Sequence, residues 1–118
     1  MTAAVIDLGT NTFHLLIAEI QQEQIHIVHR KRSFVKLGLN GKGPIEESTL
    51  QRAFNTLNEF RSILNRFPVE YLRIIGTAAM RTAPNAYIIS DFILKTFQVE
   101  VEIIDGLKEA QLIYKGIT

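Results

Sequence analysis

At 118 residues, with 47% hydrophobic and 21% charged side chains, the chain has the balance of one ordinary globular domain, which excludes disorder, a fibrous repeat or a low-complexity tail. Thirteen basic against twelve acidic residues leave a formal charge of +1, so no global field favours nucleic acid or a membrane surface. The sequence has no cysteine, which excludes disulfides, thiolate metal sites and a cysteine nucleophile within it.

Met1 to Leu8 lacks the basic n-region and cleavage pattern of a secretory signal. The longest apolar run, Phe13 to Ala18, contains His14 and falls far short of the ~20 residues that cross a bilayer. A soluble cytoplasmic protein without membrane or nucleic-acid partners is expected.

Ala3 to Ile6 is a short apolar run ending at Asp7, and Thr12 to Ile20 is a second, with Gly9 and Asn11 between them. This reads as a β-hairpin. Both runs are apolar at nearly every position, which predicts a hairpin inside a sheet covered on both faces. After the polar turn Gln21 to Gln24, a third strand is expected over Ile25 to Leu37, carrying the basic stretch His29, Arg30, Lys31 and Arg32. That stretch reads as a solvated strand face, with the drawing-in of a polyanion as the functional alternative.

Leu37 to Gly43 is a glycine-rich loop. Pro44 to Arg66 is the clearest helix, with Leu50, Ala53, Phe54, Leu57, Phe60, Leu64 and Phe67 in one apolar stripe and Pro68 stopping it. Tyr71 to Ile75 reads as a fourth strand, Gly76 to Asn85 as a small-residue turn region, Ala86 to Phe97 as a second helix and Val99 to Ile104 as a fifth strand. Leu107 to Lys115 begins a last helix. The order β, β, β, α, β, α, β, α implies an α/β domain whose mixed five-stranded sheet has an antiparallel hairpin followed by parallel strands with flanking helices.

In such sheets ligands collect beyond the carboxyl ends of the strands. The first strand ends at Asp7, followed by Gly9, Thr10, Asn11 and Thr12; the fourth at Gly76, followed by Thr77 and Arg81; the fifth at Asp105-Gly106, with Glu109 one turn beyond. One edge would thus present two carboxylates, a backbone-rich turn and an arginine, a plausible phosphate site. Each part has a blander reading. Asp7 suits a turn or cap as well as a hydrated Mg²⁺, Thr77 a helix cap, and Glu109 the first turn of a helix. Arg81 is harder to dismiss, because a guanidinium fits phosphate oxygens in a fork.

Other candidates fail. His26 and His29 lie three apart on one strand, so they are expected on opposite faces and cannot share a metal. His14 reads as a satisfied core histidine. The glycines around Lys42 lack Walker spacing, and no Gly-x-Ser-x-Gly elbow occurs.

The segment Ala4 to Leu15, Val35-Lys36-Leu37-Gly38, Gly76 to Arg81 through Asn85, and Ile103 to Gly116 together resemble exopolyphosphatases and guanosine pentaphosphate phosphatases. The opening segment alone is shared with sugar kinases and actin-like ATPases. The resemblance implies the actin-like, ribonuclease-H-like ATPase fold, with two similar domains flanking the active site, and Mg²⁺-dependent removal of terminal phosphate from inorganic polyphosphate or guanosine pentaphosphate. It implies Glu109 as the general base, Arg81 gripping phosphate, the turn Gly9 to Thr12 as the first phosphate loop with Thr77 beside it, and Asp7 holding the metal or its water. Members commonly carry an acid before the base and an arginine two places after it, where this sequence has Lys108 and Gln111. Those departures favour, as an alternative, a polyphosphate- or alarmone-binding module without turnover. The family's second phosphate loop would follow Thr118. Residues 1–118 are therefore read as the N-terminal domain of a larger phosphatase whose C-terminal actin-like domain closes the cleft, leaving open a homodimer of the full-length protein.

Overall fold

The computed structural model describes residues 1–38 and 43–104. The expected last helix, and Asp105 and Glu109 with it, lies outside the described residues.

Strands β1 (Thr2–Leu8), β2 (Thr12–Gln21) and β3 (Gln24–Phe34) form an antiparallel meander. The two residues joining β2 to β3, Gln22 and Glu23, both have positive φ (49° and 67°), the pattern whose twist matches a two-residue hairpin. Helix α1 (Glu47–Leu64) returns the chain to β4 (Tyr71–Gly76), which pairs parallel with β1. Helices α2 (Ala78–Thr82) and α3 (Tyr87–Phe97) precede β5 (Val101–Ile103), parallel to β4. The strand order is β3-β2-β1-β4-β5, the mixed arrangement that two crossovers after a meander produce.

Several boundaries move inward from the sequence reading. Helix α1 starts at Glu47 rather than Pro44, with Glu46 at its N-cap and Arg61 as the base in its last turn. Strand β3 stops at Phe34, because Lys36 adopts a left-handed conformation (φ 59°) that turns the chain away. The region 76–85, expected as turn alone, contains α2.

The core fills one face of the sheet. Ala4, Ile6 and Leu8 of β1 and Phe13, Leu15 and Ile17 of β2 pack with Leu50, Ala53, Leu57 and Phe60 of α1 and Ile89 and Ile93 of α3. The expectation of a hairpin covered on both faces is corrected here. Burial alternates strictly along β1, and on β2 Thr12, His14 and Leu16 are less buried than Phe13, Leu15 and Ile17 between and beside them. The runs are apolar throughout, yet only every second residue meets the α1–α3 layer.

A bulge between Ile17 and Ala18 shifts the β2–β3 register, so that Ile17 faces His29 while Glu19 faces His26. Ile17 and Glu19 share a face, and so therefore do His26 and His29. One extra residue reverses the alternation beyond it, which corrects the opposite-face expectation. His29 packs its ring against Phe67, 5.6 Å between centroids. Among the described residues no cluster of three or more His, Asp or Glu forms a metal site, and no helix is long and apolar enough to cross a membrane.

Asn85 ties the loop before α1 to the loop before α3. Its Oδ1 accepts from the Ile45 N–H at 2.8 Å and its Nδ2 donates to the Ile45 carbonyl at 2.9 Å. Ile45 itself is buried. Asn85→Ala strands both backbone groups, so it is expected to lower the unfolding free energy by about 1–3 kcal/mol, measured by urea titration. Asn85→Asp keeps only the acceptor and should fall at least as far.

Candidate functional site

The carboxyl ends of β1 and β4 open into a cleft of about 420 Å³ lined by Asp7, Gly9, Thr10, Asn11, Thr12, His14, Thr77, Ala78 and Arg81. Seven of these were singled out from sequence, and they come together because parallel β1 and β4 deliver their ends to the same edge. Glu109 lies outside the described residues.

The turn between β1 and β2 is built from its own backbone and from the chain after β3. Gly9 N–H donates to the Thr12 carbonyl at 3.1 Å, and the Asn11 carbonyl accepts from both Val35 N–H (3.0 Å) and Lys36 N–H (2.9 Å). The Thr10 carbonyl accepts from Gly38 N–H at 3.1 Å. The carbonyls of Thr10, Asn11 and Thr12 are thereby engaged. In a planar trans peptide the N–H of the following residue points opposite to the carbonyl, so the Asn11 and Thr12 amides point away from segment 35–38. A carbonyl-lined concavity would repel phosphate; one that turns amides and hydroxyls outward suits it.

Glycine is required at Gly9 by close approach. A Cβ there would sit 2.8 Å from the Thr12 carbonyl oxygen, which belongs to the turn itself. A second layer holds the arrangement. Arg52 of α1 donates through Nε and Nη2 to the Val35 carbonyl, at 3.2 and 3.0 Å, and through Nη2 to the Thr49 hydroxyl. The path from helix to the 9–12 turn thus runs through one peptide, Val35–Lys36, whose carbonyl takes Arg52 and whose N–H reaches Asn11.

A Cβ on Gly38 would collide with Cγ2 of Thr10. Thr10 can relieve this by turning about χ1, at the cost of moving its hydroxyl. Gly38→Ala is therefore expected to weaken phosphate binding by several-fold with little loss of stability. Adding Thr10→Ser removes the offending methyl, keeps the hydroxyl and should restore affinity. Phosphate titration of the three proteins checks this; a double variant no better than Gly38→Ala alone would exclude the steric route.

Thr77 is buried and stands at the N-cap of α2, as the cap reading has it, but its hydroxyl makes no cap bond. Its N–H reaches the Leu8 carbonyl at 3.4 Å and its carbonyl accepts from Arg81 N–H at 3.0 Å. Gly76 lets this turn fold tightly, since a Cβ would meet Met80 Cβ at 2.9 Å. Arg81 is exposed on α2, and its Nη1 donates to the Ile104 carbonyl at 3.1 Å. A guanidinium carries five N–H donors, so this bond leaves capacity for an anion.

Asp7 is the single carboxylate among the described lining residues, and its Oδ1 is removed from solvent. The cleft around it carries the hydroxyls of Thr10, Thr12 and Thr77 and the His14 ring. One carboxylate with hydroxyl oxygens nearby fits Mg²⁺, which keeps several waters and is completed by phosphate oxygens. It would not suit a metal needing several nitrogen or sulfur ligands.

His14 corrects the sequence reading. It is exposed and lines the cleft rather than sitting in the core. Phe13, Leu15 and Ile17 take the buried face, and period-2 alternation along β2 was the signal that could have exposed the histidine. Partial desolvation, then the charges of Arg32 and Arg30, hold its pKa below the usual 6.5, which favours the neutral ring at pH 7.

A family model described as the Ppx/GppA phosphatase family matches residues 16–118. The chain is 37% identical over 116 residues to a guanosine-5'-triphosphate,3'-diphosphate pyrophosphatase of Photobacterium profundum, covering 97% of this chain and 23% of that protein. A crystal structure of an exopolyphosphatase from Cytophaga hutchinsonii superposes with a TM-score of 0.89 at 41% identity, over 99% of this chain and 38% of the other. The Aquifex aeolicus PPX-GPPA enzyme superposes with a TM-score of 0.81 at 26% identity, over 89% of this chain and 36% of the other. The chain thus spans about a quarter of the length of that curated relative, and the fold is that of actin-like ATPases.

Proposed function

Because the chain belongs to the Ppx/GppA phosphatase family, we propose that it forms one wall of a site hydrolysing terminal phosphoanhydride bonds of inorganic polyphosphate or guanosine pentaphosphate. The observation that carries the reading is the single cleft gathering Asp7, the 9–12 turn, Thr77 and Arg81. The printed activities of the relatives support the substrate class.

In this reading the outward amides of the turn and the Thr10, Thr12 and Thr77 hydroxyls hold the phosphoryl oxygens, while Arg81 grips the terminal group in a fork. Asp7 would hold Mg²⁺, directly or through water; the ion supplies charge neutralisation to the phosphates when bound. Glu109, assigned by resemblance, orients a water and takes its proton as the water oxygen bonds to the terminal phosphorus. The bridging P–O bond breaks, and its electron pair leaves with the shortened chain. Such transfer demands mainly positioning and charge stabilisation. A C-terminal actin-like domain would close the cleft from the other side.

The test is phosphate release by the full-length protein from polyphosphate and from guanosine pentaphosphate, with Mg²⁺ and with excess chelator. Release from at least one substrate, lost on chelation, is expected. Saturable binding without release would favour the binding module suggested by Lys108 and Gln111. Neither binding nor release would sink both readings.

A further inference from the structure

Two guanidinium groups beside the cleft take no part in the reading above. Asp7 on β1 is the register partner of His14 on β2, and His14 is the partner of Arg32 on β3. One step along, Leu16 is the partner of Arg30. Cross-strand partners share a face, as do residues two apart on a strand, so Asp7, His14, Arg32 and Arg30 occupy the face opposite α1. The bulge at Ile17/Ala18 lies beyond this group and leaves its alternation intact. With strands about 4.8 Å apart, the Arg32 backbone stands roughly 10 Å from that of Asp7 in the same row.

Both arginines are exposed. Arg32 lies over the Phe34 ring, 5.9 Å from its centroid, and Phe34 is 65% exposed. Lys31, between them, points to the other face and pairs with Glu59 of α1 at 3.2 Å. Among the described residues no carboxylate forms an ion pair with Arg30 or Arg32. A charged edge strand resists aggregation, but Lys31 already serves that purpose with a partner. Two like charges, adjacent on one face and next to a cleft suited to phosphate, call for an external anion.

We propose that Arg30 and Arg32 form an anion subsite that holds the phosphate groups of the substrate beyond the one being removed. The proposal rests on the phosphoanhydride reading of the cleft. A chain of phosphates anchored at the 9–12 turn would run past His14 and across β2 onto β3, where two guanidiniums meet successive phosphate oxygens.

The experiment is equilibrium binding by calorimetry to the full-length protein, without Mg²⁺ so that nothing turns over. The probes are long-chain polyphosphate, guanosine pentaphosphate and pyrophosphate. R30A/R32A is expected to weaken binding of the long chain about tenfold, the loss of two exposed charge contacts. It should also flatten the dependence of affinity on salt. Pyrophosphate, short enough to remain in the cleft, should lose less than threefold. R30K/R32K should recover part of the loss, and K31A, which removes the same charge from the opposite face, should cost less than threefold. Weakening with polyphosphate alone, or with guanosine pentaphosphate as well, supports the subsite and identifies which substrate reaches it. Long-chain affinity within threefold of wild type, or an equal loss in K31A, overturns it. Because binding is read directly, a protein that binds through these arginines but hydrolyses nothing would sink the enzymatic reading and leave the subsite standing.

Discussion

Glu109→Gln in the full-length protein is expected to cut phosphate release by about 10²–10⁴-fold, the usual contribution of a positioned general base, while polyphosphate affinity stays within a few-fold of wild type. Glutamine matches the carboxylate in shape and can still hydrogen-bond a water, but it cannot accept the proton that the water must lose. Removing a base acts on the transition state and leaves ground-state binding in place. The two readouts separate the proposed enzyme from the binding module. In the binding module, which has no turnover to lose, Glu109→Gln changes nothing. In the enzyme the rate falls and binding persists. Undiminished release in an active protein would remove Glu109 from the role and move the search for a base to another residue.

The parts of this molecule that could be read from sequence are those where chain order forces geometry. Once Ala3–Ile6 and Tyr71–Ile75 are strands with a helix between them, they pair in parallel. Asp7, the 9–12 turn, Thr77 and Arg81 must then share an edge, as they do. Helix α1 was legible because its stripe from Leu50 to Leu64 repeats over four turns, although neither end was placed correctly. His14 was hidden for a different reason. It interrupts an apolar run whose buried members are Phe13, Leu15 and Ile17, and Leu16, its neighbour two along on the same face, is apolar too. Composition therefore suggested a core where alternation placed an exposed rim. The bulge at Ile17/Ala18 carries no compositional mark, and it alone reverses the facing of His26 against His29. The clamp on the 9–12 turn was equally silent, because Val35, Lys36 and Gly38 act through backbone N–H groups that every residue but proline possesses. Only the resemblance pointed to that segment, and the structure supplies its physical purpose.

The second large effect is expected at Arg81, whose guanidinium has two partners to serve. Arg81→Ala is expected to lower turnover by about 10²–10³-fold, the range for losing one preorganised charge donor at the transferring group. The same guanidinium binds the Ile104 carbonyl at 3.1 Å, at the end of β5, where Ile104 N–H in turn donates to the Gly76 carbonyl at 2.9 Å. Arg81 thus joins the turn after β4 to the residue that follows β5, so one side chain would hold the phosphate and tie together the ends of two strands at this edge. A lysine keeps the charge but is a point donor without the planar fork, and it cannot serve the carbonyl and two phosphate oxygens in the same geometry. Arg81→Lys should therefore recover phosphate affinity more fully than turnover, with the rate remaining at least tenfold below wild type. Steady-state kinetics with polyphosphate, beside direct binding of the same probe, measures the two effects separately. Wild-type turnover in Arg81→Lys would reduce the role to charge alone and detach the Ile104 bond from catalysis.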